Sequence, residues 1–189
     1  MSNITEKGGV RGTYTIQIKR KDGSIKPLWQ ENIIGRLIKE TLNKEINIPF
    51  ITGMYKNEYK TSNLITNVGL ASIADLFAGA TPINPFKYIA LGTGDTAPAV
   101  GDTTLGAEIT TNGLERTEAS SITISGNKVV LVEEFTYTGS TATEIKEAGI
   151  FNASTEGTMA SRSVFTSSKT LDENGEKITV SYDLEVERV

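Results

Sequence analysis

The chain has 189 residues and a formal net charge of −4, and 38% of its residues are hydrophobic. This composition is too apolar and too weakly charged for a disordered chain, and it contains no basic stripe of the kind that binds nucleic acid. Because cysteine and histidine are both missing, disulfides, thiolate metal sites and the commonest general base are excluded.

The N-terminal segment 1–12 lacks the apolar core of a signal peptide, and no apolar run approaches the length that spans a bilayer. We therefore expect a soluble protein that is synthesised in a cytoplasm and has no membrane partner. Whether this segment forms an ordered arm or a loose tail is open.

The first element is predicted to be a strand. Residues alternate between apolar and polar over Thr13–Lys19, and a Lys-Asp-Gly-Ser turn then returns the chain into Ile25–Trp29. Pro27 places the returning strand at a sheet edge, since proline cannot donate to a ladder on both sides.

Two short helices are predicted next. The first covers Glu31–Asn43 and carries Ile33 or Ile34, Leu37, Ile38 and Leu42 at helical spacing. The second begins at Thr66 or Asn67, which can cap it, and ends at Gly79. Its apolar face is predicted to consist of Leu70, Ile73, Ala74 and Phe77.

The stretch 45–62 between the helices has no period, and we expect an irregular ordered loop with a possible short strand at Ile48–Ile51. Aromatic residues are enriched at protein interfaces. Because this loop has no apolar period that would bury its aromatics, Phe50, Tyr55 and Tyr59 are candidate interface residues.

From Phe86 onward the chain shows only strand patterns, separated by turns such as Gly126-Asn127 and Asp172–Gly175. The predicted strands are Phe86–Leu91, Leu114–Ile124, Lys128–Tyr137, Glu144–Phe151, Thr158–Thr166 and Lys177–Val186. The sequence therefore predicts a mainly β protein, an antiparallel β-sandwich with one or two short α-helices packed on it. We expect residues 1–62 to form an N-terminal extension and residues 63–189 to form the helix and sandwich module.

No catalytic constellation is evident. The phrase Leu91–Thr96 lacks the lysine and the following helix that a phosphate-binding loop needs, so a turn at a strand end is expected. The spacing of Asp95, Asp102 and Glu108 matches no calcium loop. Glu144, Glu147 and Asp183 are interpreted as single carboxylates on a solvated face. The sequence thus predicts no catalytic residue, no cofactor and no metal.

Several phrases of the chain follow an order that resembles the N-terminal attachment region of phage tail-fibre and tail-collar proteins. In that family an "ITNxGLxxIA" phrase precedes a strand ending in "IAxGxG". A Pro/Asp/Thr loop, an "L…E" segment and an "E-x-G-I/L-F/Y" strand come next, followed by a turn and a further strand. The corresponding segments here are Ile65–Ala74, Ile89–Gly94, Thr96–Thr104, Leu105–Glu108, Glu147–Phe151 and Gly157–Phe165.

This resemblance implies a non-enzymatic virion structural protein of a tailed phage, located in the tail, baseplate or fibre-attachment apparatus. Its implied partners are other copies of itself, arranged around a symmetry axis, and other virion proteins. A capsid decoration or head-fibre protein is an alternative, and a carbohydrate-binding module is a further one. In the Gly92–Thr104 loop we predict Thr93, Asp95 and Pro98 as interface residues.

Overall fold

The computed structural model describes residues 8–42, 47–79 and 84–188. Two antiparallel sheets pack face to face, which confirms the predicted mainly β sandwich with two short helices. The helices are α1 (Ile33–Leu42) and α2 (Asn67–Ala78). The strands are β1 (Gly8–Lys19), β2 (Ile25–Lys26), β3 (Leu28–Glu31), β4 (Gly53–Lys56), β5 (Tyr59–Ser62), β6 (Leu64–Ile65), β7 (Tyr88–Gly92), β8 (Thr117–Glu118), β9 (Ser121–Ser125), β10 (Lys128–Thr136), β11 (Thr143–Phe151), β12 (Met159–Leu171) and β13 (Lys177–Arg188).

The first sheet has the strand order β2-β1-β13-β10-β9, with β5 also paired to β1. The second sheet has the order β6-β12-β11-β7-β8, and β3 and β4 form a separate antiparallel pair. Strand β1 pairs with β13 along its whole length, from Gly8 opposite Arg188 to Lys19 opposite Lys177. The first strand of the predicted extension therefore belongs to the sandwich, while the division at residue 62 stays a prediction.

The core between the sheets is built by the alternation that the sequence shows. Tyr14, Ile16 and Ile18 of β1 are fully buried, as are Ile178 and Val180 of β13. Side chains of a strand point alternately to its two faces, so one face of each strand enters the core. This alternation also sets Tyr14 opposite Tyr182, with 4.9 Å between the ring centroids.

The region around Pro27 differs from its prediction. The predicted strand Ile25–Trp29 is divided at Pro27, so that β2 ends at the edge of the first sheet and β3 pairs with β4. The edge position is confirmed, and the break follows because proline has no backbone N–H for the ladder.

The predicted loop 45–62 contains β4 and β5, and a turn replaces the short strand expected at Ile48–Ile51.

The predicted strand Leu114–Ile124 is also divided, into β8 and β9, while the hairpin turn at Gly126-Asn127 is confirmed. The pairing of β11 with β12 changes register between Ile145, which lies opposite Lys169, and Glu147, which lies opposite Val164. Four residues of β12 lie against one residue of β11 here, so the extra residues of this irregularity belong to β12. At this point Ile145 lies in the core between the sheets, whereas Glu147 lies on the outer face of the second sheet.

Helix α2 is capped as predicted, because the Thr66 side chain accepts a hydrogen bond from the amide of Gly69 and Gly79 adopts the left-handed conformation. The predicted apolar face is confirmed at Ile73 but wrong at Leu70 and Ala74, which are exposed. Gly69 and Ser72 complete the packed face instead. The Phe77 side chain and the predicted helix end at Asn43 lie outside the described residues.

Neither helix is long and apolar enough to span a membrane within the described part of the chain.

Gly69 allows α2 to lie directly on β12. A Cβ atom at this position would lie 2.4 Å from the carbonyl oxygen of Ala160, which is backbone and cannot move aside. We expect Gly69→Ala to lower the free energy of unfolding by about 2 kcal/mol, since overpacking outweighs the gain in helix propensity. Urea unfolding measures this change.

The matched control is Gly101→Ala, because no atom lies within 4 Å of a Cβ atom at Gly101. Equal stabilities of the two variants would contradict the proposed contact between α2 and β12.

Burial of the two paired tyrosines predicts alkaline sensitivity. Burial raises the pKa of Tyr182 to about 12, and burial together with the nearby Tyr182 raises the pKa of Tyr14 well above its ordinary value. A group with a raised pKa in the folded state stabilises fully below its unfolded pKa of about 10 and loses this contribution as the pH rises through the folded value.

We therefore expect wild-type stability to fall between about pH 10 and pH 12, and Tyr182→Phe to reduce this fall. Urea unfolding across this pH range measures it, with Tyr55→Phe as the control because Tyr55 is exposed. The same alkaline fall in all three proteins would contradict the role of the buried hydroxyl.

Candidate interaction site

A buried carboxylate on β11 holds the loop that follows β7. The Glu147 side chain is 0% exposed, and its carboxylate accepts hydrogen bonds from the amides of Gly94, Gly106 and Ala107 at 3.0, 3.1 and 2.8 Å. Three backbone donors from two ends of the loop therefore converge on one side chain. The loop is folded back over the outer face of the second sheet as a result.

The glycines of the Leu-Gly-Thr-Gly phrase make room for this carboxylate. A Cβ atom would lie 2.5 Å from Oε1 of Glu147 if added to Gly92, and 2.4 Å from it if added to Gly94. Any larger residue would displace the carboxylate from its amide donors. The phrase that suggests a phosphate loop is instead shaped around a carboxylate of the protein itself.

Arg162 of β12 completes the network. Its guanidinium donates to Oε2 of Glu147 at 2.8 Å, to Oδ2 of Asp102 at 2.7 Å and to the carbonyl oxygen of Thr96 at 3.1 Å. The Ala99 amide and the Arg162 guanidinium lower the pKa of the Asp102 carboxyl. Asp102 therefore stabilises the loop at neutral pH and loses this effect only as the pH falls through its lowered value.

The network presents the predicted loop residues at the surface. Thr93 and Asp95 are exposed and Pro98 is half-buried. Asp95 and Pro98 also line a groove of about 860 Å³ between the loop and α1. The structure thus brings these two residues next to Lys39 and Glu40 of the first helix, which the sequence does not indicate.

The three carboxylates considered for calcium each face a different cation. The Asp95 carboxylate lies 3.4 Å from the Lys146 ammonium. The carboxylates of Asp102 and Glu108 lie 2.7 and 2.6 Å from the guanidinium groups of Arg162 and Arg116, respectively. Within residues 8–42, 47–79 and 84–188, no group of three or more Asp and Glu side chains is arranged to hold a metal ion.

A second feature is the exposed apolar surface of α1 and its neighbouring segment. Asn32 caps α1 through the amide of Gly35 and binds the carbonyl oxygen of Ile51, and Gly35 packs on the carbonyl of Thr52. The backbone contact turns the apolar stripe of the helix outward rather than into the core. We call the resulting set the N-terminal apolar surface, and its members are Ile33, Ile34, Leu37, Leu42, Ile48, Phe50, Ile51, Met54 and Tyr55.

Phe50 is the most exposed large apolar side chain of this surface, at 85%. Its backbone is in the left-handed region, with φ 67°, where residues other than glycine are uncommon. Tyr55 is exposed and its ring contacts that of Trp29 edge-on, with 5.2 Å between the centroids. Phe50 and Tyr55 are therefore the two exposed aromatic members of the N-terminal apolar surface.

Tyr59, by contrast, is 1% exposed, so its side chain belongs to the core rather than to a surface. Its hydroxyl accepts a hydrogen bond from the Thr166 amide, and the Lys169 ammonium lies 3.5 Å from its ring centroid. The physical reason is β5, whose pairing with β1 sets Tyr59 opposite Ile16 and turns its ring toward the interior.

Sequence reasoning missed the residue on which the loop depends. The interpretation of Glu147 as a solvated carboxylate is wrong, because Glu147 is fully buried. Composition and alternation contain no signal for this burial. The signal lies in the phrase Glu147-Ala148-Gly149, whose glutamate and glycine belong to the pattern that carried the family resemblance.

The comparison with known families agrees with this geometry. The sequence profile of the podophage GP4 fiber I protein gp80 family matches residues 64–186, which is more than half of the chain. The chain belongs to this family. It is thus a fibre-related structural protein of a tailed-phage virion, and it associates with other virion proteins. No curated protein matches the chain.

The matched range contains β7, the loop that follows β7, Glu147 and Arg162. It therefore includes the complete buried network. The N-terminal apolar surface lies before residue 64 and is outside the match. The segment that matches the family and the N-terminal apolar surface are therefore separate parts of the sequence within one folded structure.

The buried network predicts a large effect of Glu147→Gln. The change leaves Arg162 without its buried partner and puts an NH₂ group among amide donors, so we expect a loss of about 3 kcal/mol in the free energy of unfolding. Chemical unfolding followed by circular dichroism measures it. Glu144→Gln is the control, because Glu144 is exposed and lies 3.7 Å from Lys146. A similar small loss in both variants would contradict the role assigned to Glu147.

Proposed function

We propose that the protein is a non-enzymatic component of the tail, baseplate or fibre-attachment apparatus, and that it acts by self-association and by docking on other virion proteins. The sandwich, which combines the family-matched segment 64–186 with β1, β2 and β5, supplies a scaffold with a fixed loop. The N-terminal apolar surface supplies the area that docks. The observation that carries the proposal is the exposure of this apolar set beside a well-packed core.

Large apolar patches on soluble proteins mark interaction sites, because water does not solvate them favourably. The N-terminal apolar surface combines aliphatic side chains with the exposed rings of Phe50 and Tyr55. Aromatic residues and methionine are enriched at interface cores. The left-handed backbone of Phe50 fits the same role, since local strain concentrates at binding sites.

The groove between the loop and α1 offers less support for the carbohydrate-binding alternative. A sugar site of that kind uses an exposed aromatic platform or a pair of carboxylates across a cleft. Among the described residues that line the groove, the one aromatic is Phe165, and it is buried. The carboxylates of Glu40, Asp95 and Glu144 also line the groove, but Asp95 and Glu144 are both ion-paired with Lys146, at 3.4 and 3.7 Å.

Leu37→Glu tests the docking function. A phage genome that carries this change should produce particles with about tenfold less of the protein, because a buried charge in an apolar interface costs more than 1.4 kcal/mol. Quantitative immunoblotting of purified particles measures this amount. Leu76→Glu is the matched control, since Leu76 is an equally exposed leucine on the other helix.

Circular dichroism of both purified variants separates lost docking from lost folding. Incorporation of the Leu37→Glu protein at the wild-type level would overturn the docking role of the N-terminal apolar surface. A cryo-EM map of wild-type particles decides the location. Density on the capsid surface would replace the tail assignment by the decoration alternative, and absence from particles would overturn the virion role.

A further inference from the structure

Strand β9 leaves one edge of the first sheet open. It pairs with β10 on one side and ends the strand order on the other. All five of its residues, Ser121 to Ser125, are exposed, and Ile124 is 76% exposed. An edge of this kind presents unpaired N–H and C=O groups to any strand that can align with it.

Natural edges are usually protected by charge, proline, a bulge or short length. The other ends of the two sheet orders follow this rule, because β2, β6 and β8 have only two residues each. Lys26 in β2 and Glu118 in β8 add a charge, and Pro27 follows β2. In contrast, β9 has five residues, contains no charge or proline, and pairs with β10 without a register shift. The edge at β9 therefore lacks each usual protection against pairing.

The hairpin turn fixes which backbone groups are free. Ser125 lies opposite Lys128 next to the two-residue turn, so it forms a hydrogen-bonded pair with Lys128 and the pattern alternates from there. Ile122 and Ile124 then occupy the non-hydrogen-bonded positions opposite Leu131 and Val129. The N–H and C=O groups of both isoleucines point away from β10, toward the open edge.

The side chains of these isoleucines extend an apolar strip. Ile122 and Ile124 lie on the same face as Leu131 and Val129, which is the face that forms the core. Val186 is exposed on the neighbouring part of this face. Ile124 and Val186 line a shallow groove with Val129 and Leu184, so the inner face of the first sheet continues past the closed core to the edge.

We propose that β9 pairs antiparallel with β9 of a second copy, about a two-fold axis at Thr123. In this register Ile122 of each copy lies opposite Ile124 of the other. The outward backbone groups of all four isoleucines then form hydrogen-bonded pairs, and Thr123 faces its own counterpart in the non-hydrogen-bonded position between them.

The register is self-complementary in side chains as well. Serine lies opposite serine and isoleucine lies opposite isoleucine, with no charged residue in the paired segment. Two chains that each carry a net charge of −4 thus meet where no like charges are brought together. The apolar strips of both copies become continuous across the axis. This inference rests on the proposed function, because it specifies the self-association proposed there.

A cysteine at the axis tests this register in the intact chain, which has no cysteine of its own. Directly opposed residues at a non-hydrogen-bonded position have Cα atoms about 4.5 Å apart, within the range of a disulfide. We expect Thr123→Cys to form a disulfide-linked dimer under mild oxidation about tenfold faster than Ser121→Cys, because the pairing raises the local thiol concentration.

Ser121→Cys is the matched control. Its cysteine is equally exposed and points to the same face, but the two copies of residue 121 would lie four residues apart along the strand, about 13 Å. A mixture of Ser121→Cys and Ser125→Cys proteins should form the mixed dimer instead, since these positions lie opposite each other. Equal cross-linking of Thr123→Cys and Ser121→Cys would overturn the register.

Ile124→Pro provides an independent measurement. Proline removes an N–H that points to the open edge, so the pairing with β10 and the fold are retained. We expect sedimentation velocity to show a dimer for the wild type and a monomer for Ile124→Pro, with Leu37→Glu remaining a dimer. A wild-type monomer, or an oligomer that Ile124→Pro leaves intact, would overturn the inference. If the wild-type protein is a monomer and is still incorporated into particles, the β9 pairing is overturned but the docking proposal stands.

Discussion

The buried contact between Glu147 and Arg162 is the interaction on which the outer surface of the sandwich depends. Neither charge is solvated, so Glu147 is stabilised by Arg162 and three backbone amides, and Arg162 is stabilised by Glu147, Asp102 and a backbone carbonyl. A buried ion pair of this kind contributes little net stability over an apolar pair. It does specify geometry, because only one path of the loop satisfies the carboxylate, the guanidinium and Asp102 together.

Arg116 and Glu176 have similar roles in other described parts of the chain. Arg116 holds the segment near Glu108 against the turn that follows β11, and its guanidinium lies 3.5 Å from the Phe151 ring centroid. The buried carboxylate of Glu176 accepts hydrogen bonds from two amides of the last hairpin turn and binds Lys26 of β2. Charged side chains thus fix connections that contain too few apolar residues to form a core of their own.

The regular elements could be predicted from the sequence, and the site could be predicted only in part. Alternation identified β1 and β13, and turn residues identified the hairpin after β9, because these signals act over a few residues. The burial of Glu147 and Tyr59 could not be found this way. The burial of Glu147 accompanies the register shift between β11 and β12, and that of Tyr59 arises from the pairing of β5 with β1. Both pairings join segments that short-range sequence patterns do not connect. The outward turn of the α1 stripe has a similar cause, the packing of Gly35 on Thr52.

The pairing of β1 with β13 has a mechanical consequence. Gly8 and Arg188 lie opposite each other, so a force that pulls the chain at these two positions opens the ladder one residue pair at a time. This unzipping geometry resists load poorly, whereas sliding two strands along each other breaks many hydrogen bonds at once. Tension carried by an assembled particle would therefore have to pass through the side-chain surfaces of this protein rather than along its backbone.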